Sequence, residues 1–476
     1  MHNDFGAMAL HPKLLASIDA LGFTKPTPVQ AEAIPAGLAG RDVLACAATG
    51  SGKTAAFALP ILEALLEQKR GKTRALVLVP TRELAAQVEE HTRALAQGTG
   101  ITVASVFGGV AMGPQEDAFR KGVDVIVATP GRLLDHFSRD YAALDALEFL
   151  VLDEADRMLD MGFLPDIRKV LAHLPKTKRQ TFFFSATMPP AIAKLANELL
   201  RDPSQIAVER KQAPAAGVLQ ALYPVAQTVK IKLLTELLKR GEINEAIVFC
   251  RTKHRANRVA ERLEKAGFEV ARIHGNRSQK QRTEALADFK SGRIKLLVAT
   301  DILARGIDVE ALEHVVNFDV PATPEDYIHR VGRTGRADLK GDAYTFAAPE
   351  ETALVRDIEK KLGKPIPRKT LADFDYTAAS DEPLEIPLHE RIAKIRAERQ
   401  AARQRSAEKE ARRNGGNGTQ RASENGGRKT DGNGARRGGG RGRGGAERPA
   451  RAQQAQPPRN EAPRDTRPAE FDDEDR

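Results

Sequence analysis

The sequence predicts an α/β protein of two parallel-sheet units in tandem, followed by a long basic tail. Three observations carry that prediction. Short apolar runs alternate with amphipathic helical patterns from residue 42 to about 208, the alternation restarts near residue 246 after an aperiodic stretch, and apolar periodicity fades beyond about residue 370. Alternation of this kind marks βαβ units whose strands are covered on both faces.

In the first unit the strand candidates are residues 42–45, 75–79, 102–107, 124–128, 149–152 and 181–184, each ending in small or polar residues before a helical pattern. Residues 201–224, with Pro203, Pro214, Gly217 and Pro224, have turn formers and no clear period, so they read as a linker. Strand candidates in the second unit are 246–250, 270–273, 295–299, 314–318 and 343–346. The resulting partition is 1–208, a linker at 209–224, 225–370, and a tail at 371–476.

Charge separates body from tail. Residues 391–476 hold 22 Lys and Arg against 13 Asp and Glu, a net +9 of the chain's +10, which leaves the preceding 390 residues at +1. With one aromatic, Phe471, and Gly/Arg-rich runs such as Arg436-Arg437-Gly438-Gly439-Gly440-Arg441, this stretch has nothing to bury and is expected to be disordered. Cys46 and Cys250 sit far apart in apolar, strand-like contexts and read as buried reduced thiols. The N-terminus lacks a basic region followed by an apolar one, and no apolar run approaches the roughly 20 residues that span a bilayer. A soluble cytoplasmic protein with no membrane partner is expected.

The stretch with the most chemistry is Ala48-Thr49-Gly50-Ser51-Gly52-Lys53-Thr54, between an apolar strand and an apolar-periodic helix. Glycines let the backbone N–H groups converge at a helix N-terminus, where the dipole favours phosphate. Lys53 adds a point charge for the outer phosphates and the Thr54 hydroxyl a ligand for Mg²⁺. The strict phosphate-loop pattern has glycine where this chain has Ala47, so a structural glycine turn competes until the rest of the chain is considered. Asp153-Glu154-Ala155-Asp156 follows another strand. There one carboxylate can help hold a metal on phosphate oxygens and another can deprotonate the attacking water. Beyond the linker, His329-Arg330-Val331-Gly332-Arg333-Thr334-Gly335-Arg336 supplies cations that reach a nucleotide on the first unit only when a cleft closes.

With these motifs in this order the chain resembles the DEAD-box RNA helicases, and its short body with a basic tail is similar to their bacterial RhlE-type branch. The resemblance runs from Phe5 to about Phe346. It includes Gly22-Phe23-Thr24-Lys25-Pro26-Thr27-Pro28-Val29-Gln30, similar to the family's adenine-sensing segment, then Pro80-Thr81-Arg82-Glu83-Leu84, Gly108-Gly109, Thr129-Pro130-Gly131-Arg132 and Ser185-Ala186-Thr187. In the second half it includes Val248-Phe249-Cys250-Arg251-Thr252-Lys253, Gln279 with Arg282, Ala299-Thr300-Asp301, and Arg305-Gly306-Ile307-Asp308.

The resemblance implies two RecA-like domains, ATP and Mg²⁺ as cofactors, and single-stranded RNA or a short duplex as partner. Ribosomal precursors or RNA-decay machinery are family-level partners. It further implies roles. Phe23, Lys25, Gln30, Ala48, Thr49, Gly50, Ser51, Gly52, Lys53, Thr54, Gly306 and Asp308 would bind ATP, with Gln30 on the adenine edge and Asp308 on the ribose. Asp153 would bind Mg²⁺ through water, Glu154 would be the general base, and Arg333 and Arg336 the finger arginines. Asp156, Ser185, Thr187 and His329 would couple the ATP and RNA faces. Arg82, Gly109, Thr129, Arg132, Arg251, Thr300 and Asp301 would line the RNA path, a narrow sugar–phosphate track given the nearly neutral body. Two rivals share these residues: an ATP-gated RNA clamp serving as a scaffold, and a DNA translocase, against which the Gln30 segment and the Asp153-Glu154-Ala155-Asp156 letters argue.

Overall fold

In a computed structural model of the chain, which describes residues 4–47, 50–175, 179–207, 218–301, 312–335 and 341–377, the apolar runs form two wholly parallel sheets. The first contains β1 (Val43–Cys46), β2 (Ala75–Leu78), β3 (Val103–Val106), β4 (Val125–Ala128), β5 (Phe149–Leu152), β6 (Gln180–Ser185) and β7 (Ser204–Ala207), in the order β3-β4-β2-β5-β6-β1-β7. The second contains β8 (Val218–Pro224), β9 (Ala246–Cys250), β10 (Val270–Ile273), β11 (Leu296–Thr300), β12 (His314–Asn317) and β13 (Gly341–Ala347), in the order β10-β11-β9-β12-β13-β8. Both belong to one unit, Met1–Arg391.

Side-chain alternation along the strands explains why each sheet is covered twice. Ala75, Val77, Val125, Val127, Phe182 and Phe184 enter one core, whereas Leu76, Leu78, Ile126, Ala128 and Phe183 enter the core on the opposite face. The second sheet divides in the same way, with Ala246, Val248 and Cys250 on one side and Ile247 and Phe249 on the other.

Two boundaries differ from the sequence reading. Within the stretch read as a linker, residues 204–207 pair with β1 and close one edge of the first sheet, and residues 218–224 pair with β13 and close one edge of the second. Edge strands tolerate the prolines and weak alternation that made these segments look irregular. The tail also begins later than residue 371, because Leu371 is buried and Phe374 and Tyr376 pack against the same core. Residues 209–217 of the expected linker and 378–476 of the tail lie outside the described residues. Among the described residues, no helix is long and apolar enough to cross a membrane.

Parallel strands put all their C-terminal ends on one edge of the sheet, where open α/β folds gather their ligands. Strand order then sorts the chemistry. The adjacent β5, β6 and β1 lead into Asp153–Asp156, Ser185–Thr187 and the glycine-rich turn, while the adjacent β3, β4 and β2 lead into Gly109, Thr129 with Arg132, and Arg82.

Candidate nucleotide and RNA site

The glycine-rich turn is braced by the segment before it. Thr27 Oγ1 donates to Ser51 O at 2.7 Å, and Gln30 Nε2 donates to Gly52 O at 3.0 Å. Gln30 Oε1 accepts from Thr27 N at 2.9 Å, the reciprocal bond of a helix cap at Pro28–Leu38. Gly52 has φ 86°, and a Cβ there would run into the Gln30 amide, so only glycine fits. Each end of the Gln30 amide makes one bond here, which leaves one donor hydrogen and one lone pair for a base edge.

Lys53 opens the helix Lys53–Leu65, and its side chain is buried. Its Nζ lies 3.3 Å from Asp153 Oδ1 as an ion pair, without an aligned hydrogen bond among the described residues. The same cavity, about 300 Å³, is lined by Phe23, Gln30, Gly50, Gly52, Thr54, Asp153 and Glu154. A buried ammonium lacking an aligned acceptor fits anionic phosphate oxygens. The Thr54 hydroxyl and Asp153 carboxylate in the same cavity are hard oxygen donors, suited to Mg²⁺, which takes few protein ligands when phosphates supply the rest. Burial pushes the Asp153 carboxyl up, against the pull of Lys53. Lys25 is exposed and does not line this cavity.

Glu154 has φ 53° and ψ 49°, the left-handed region, at the N-terminus of the short helix Ala155–Asp160. A non-glycine residue held there costs about 1–3 kcal/mol, a strain that clusters at functional sites. Its Oε2 accepts from Arg157 Nη1 at 2.6 Å, and both side chains are buried. Arg157 has no role in the sequence reading. The signal available was its i,i+3 spacing from a carboxylate on a helix start.

Asp156 joins the next strand end. Its Oδ2 accepts from Thr187 N and Oγ1 at 2.7 and 2.8 Å, and its own N–H donates to Ser185 Oγ at 3.2 Å. Ser185 therefore meets the Asp156 backbone and not its carboxylate. Burial would raise that carboxyl, but the Thr187 hydroxyl, the Lys53 charge and the backbone N–H groups of Ala186 and Thr187 together hold it below its ordinary range. Asp156 and Thr187 face His329, on the helix Pro324–Val331, across a cavity of about 870 Å³ between the two halves. A direct bridge links the halves: Glu83 Oε1 accepts from Gln279 Nε2 at 3.1 Å and pairs with Arg282 Nη2 at 2.9 Å, all three side chains being buried.

On the other half of the first sheet, Arg82 packs against Gly108 and Gly109, and at Gly109 (φ 84°) a Cβ would overlap the guanidinium. Arg132 Nη1 donates to Val110 O at 3.3 Å and to Gln115 Oε1 at 3.4 Å. Thr129 immediately precedes the helix Pro130–Phe137 that carries Arg132. In the second half, Arg251 follows β9, and Asp301 follows Thr300, the last residue of the neighbouring strand β11. Asp301, expected on the RNA path, turns its carboxylate onto Arg330 through two bonds of 2.6 and 2.7 Å. Arg333 is buried in the turn after Val331. Ala48, Thr49, Gly306, Asp308 and Arg336 lie outside the described residues.

Comparison with known proteins gives matches over the same regions. The DEAD/DEAH box helicase family model matches residues 27–195, and the helicase conserved C-terminal domain model matches 229–338. The chain is 42% identical over 359 residues to the DEAD-box ATP-dependent RNA helicase CshA of Bacillus subtilis, covering 75% of this chain and 72% of that one. It is 41% identical over 360 residues to the ATP-dependent RNA helicase CshA of Listeria monocytogenes, covering 76% and 69%. Among solved structures, Saccharomyces cerevisiae Dbp5 bound to RNA and ADP BeF3 has a TM-score of 0.70 at 33% identity, covering 77% of this chain and 96% of that one. The DEAD-box helicase Mss116 bound to single-stranded RNA and UDP-BeF also gives 0.70, at 26% identity, covering 78% and 80%.

Proposed function

The chain belongs to the DEAD-box family of ATP-dependent RNA helicases, and from that premise we propose how its residues divide the work. It is an RNA-stimulated ATPase that binds RNA across two RecA-like domains and unwinds it at the expense of ATP. The observation that most supports the division of labour below is the cavity in which buried Lys53, Asp153 and Glu154 meet Phe23 and Gln30.

Lys53 and the turn at 48–54 hold the ATP phosphates. Thr54 and Asp153 hold Mg²⁺, which when bound neutralises phosphate charge and orients the outer phosphate. Glu154, held by Arg157, accepts the proton of the attacking water. Arg333 and Arg336 offset the charge that develops on the transferred phosphoryl group, and Asp308 and Gly306 meet the nucleotide from the second domain. Phe23 and Gln30 read the adenine. Lys25, exposed beside them, contributes long-range charge. Asp156, Ser185, Thr187 and His329 transmit closure between the ATP and RNA faces. Arg82, Gly109, Thr129, Arg132, Arg251 and Thr300 form the sugar–phosphate track, and Asp301 orients Arg330. The first domain comprises 1–208, and the second begins with β8 and runs through residue 377. The +9 tail, with glycine-spaced arginines, tethers RNA without sequence preference. Its composition supports the RhlE-type branch, although the relatives reported above are CshA proteins. The same reading places the protein in the cytoplasm, with ribosomal precursors or the RNA-decay machinery as partners.

Two measurements test this reading. Gln30→Ala is expected to weaken ATP binding more than GTP or UTP binding, because only adenine loses a contact. An equal loss for all three would leave Gln30 as a brace for the glycine-rich turn. For the chain as a whole, ATP hydrolysis should rise with added single-stranded RNA and stay near its basal rate with DNA of the same sequence. Equal stimulation by DNA would favour a DNA translocase.

A further inference from the structure

We propose that Glu351 is a positioning residue for RNA binding, pinned by the buried Lys230 ammonium so that its second oxygen holds the Arg251 guanidinium at the RNA path. The inference rests on Arg251 as an RNA-contacting residue.

Lys230 begins the helix Lys230–Lys239 and is fully buried. Its Nζ donates to Phe318 O at 3.0 Å and to Glu351 Oε2 at 2.5 Å, with Asp319 Oδ1 at 4.0 Å. The same Glu351 oxygen accepts from Ala348 N at 3.0 Å, which fixes the carboxylate from a second direction. Oε1 lies 2.7 Å from Arg251 Nη2. The Arg251 backbone is also fixed, its N–H donating to Asp319 Oδ2 at 2.8 Å, while Arg255 pairs with Oδ1 of that aspartate.

Charge and exposure in this cluster run in one direction. Side chains of Lys230, Asp319, Arg255 and Glu351 are at most 7% exposed, while that of Arg251 is 47% exposed. The four buried groups are two cations and two anions, so Arg251 is the excess cation and stands at the surface. Only its Nη2 bonds to described protein groups, Glu351 Oε1 and Val320 O. The N–H groups of Nε and Nη1 therefore remain as separate donors for phosphate oxygens. A buried ion pair is seldom kept for stability, since an apolar pair of similar volume does as well or better. Burial here pulls the Lys230 ammonium below its ordinary range, with Glu351 and Asp319 opposing the shift. An arginine already held in one rotamer loses less freedom when it binds phosphate.

The test is a double-mutant cycle in the full-length protein, reading the RNA concentration for half-maximal ATPase stimulation and the rate at saturating RNA separately. Arg251→Ala should raise that concentration by roughly tenfold, as for loss of one charge-assisted bond. Glu351→Gln should raise it by a smaller factor, and the double variant should match Arg251→Ala alone. Because Glu351→Gln leaves Lys230 with only the more distant Asp319 carboxylate, Lys230→Met with Glu351→Gln is the folding control. It removes the buried charge and the pin together and should show the same RNA defect. Additive effects in the cycle, or a Glu351→Gln defect confined to the saturating rate or thermal stability, would overturn the positioning role. An unchanged RNA requirement in Arg251→Ala would instead remove the RNA reading of Arg251, and the inference with it.

Discussion

Replacing Glu154 by Gln is expected to lower ATP hydrolysis by about 10²- to 10⁴-fold while ATP and RNA still bind. The substitution keeps the shape of the side chain and an acceptor for Arg157, but it removes the proton acceptor. The left-handed backbone at Glu154 and the 2.6 Å bond from Arg157 show that the fold holds this carboxylate in one place. Asp153, beside it, pairs with Lys53 and is not free for the same task. Because Arg157 is buried, the variant also leaves a less compensated cation, so ATP affinity and thermal stability need to be measured in parallel. Near-normal turnover with intact binding would move the base elsewhere.

Arg333→Ala is expected to reduce RNA-stimulated hydrolysis by roughly 10³- to 10⁵-fold, the range for a finger arginine. Arg333 follows the helix that carries His329 into the cavity shared with Asp156 and Thr187, so its position depends on how the halves meet. The halves are already linked by Glu83 with Gln279 and Arg282. The loss should therefore appear in turnover at saturating ATP and RNA, with little change in ATP affinity, because the residues proposed to hold the phosphates lie in the first domain. A variant that merely raised the ATP requirement would make Arg333 a binding group instead.

Period and motif made most of this legible from sequence. Central strands such as β2, β4 and β5, buried on both faces, are apolar throughout and bounded by turn formers, so they fell within a residue of expectation. The edge strands β7 and β8 did not. Ser204-Gln205-Ile206-Ala207 offers one fully buried side chain, and β8 alternates poorly between Gly217 and Pro224. The letters proposed for catalysis could be read from sequence because phosphate chemistry constrains residue type at short spacing. The pairings of Glu83 with Arg282 and of Glu351 with Arg251 were not legible, since they join residues far apart in the chain. Lys230 left a trace: with Leu233, Leu234, Leu237 and Leu238 it falls on the apolar face of its helix, where a lysine needs a buried anion.

Hydrolysis at a site shared by two domains is expected to drive cycles of RNA strand separation. Displacement of a short RNA duplex, with ATP or with a non-hydrolysable analogue, tests it most directly. Each protein molecule should displace strands repeatedly with ATP and at most about once with the analogue, as expected if closure separates the strands and hydrolysis reopens the cleft. Multiple-turnover displacement with the analogue, or none with ATP while RNA-stimulated hydrolysis proceeds, would contradict it.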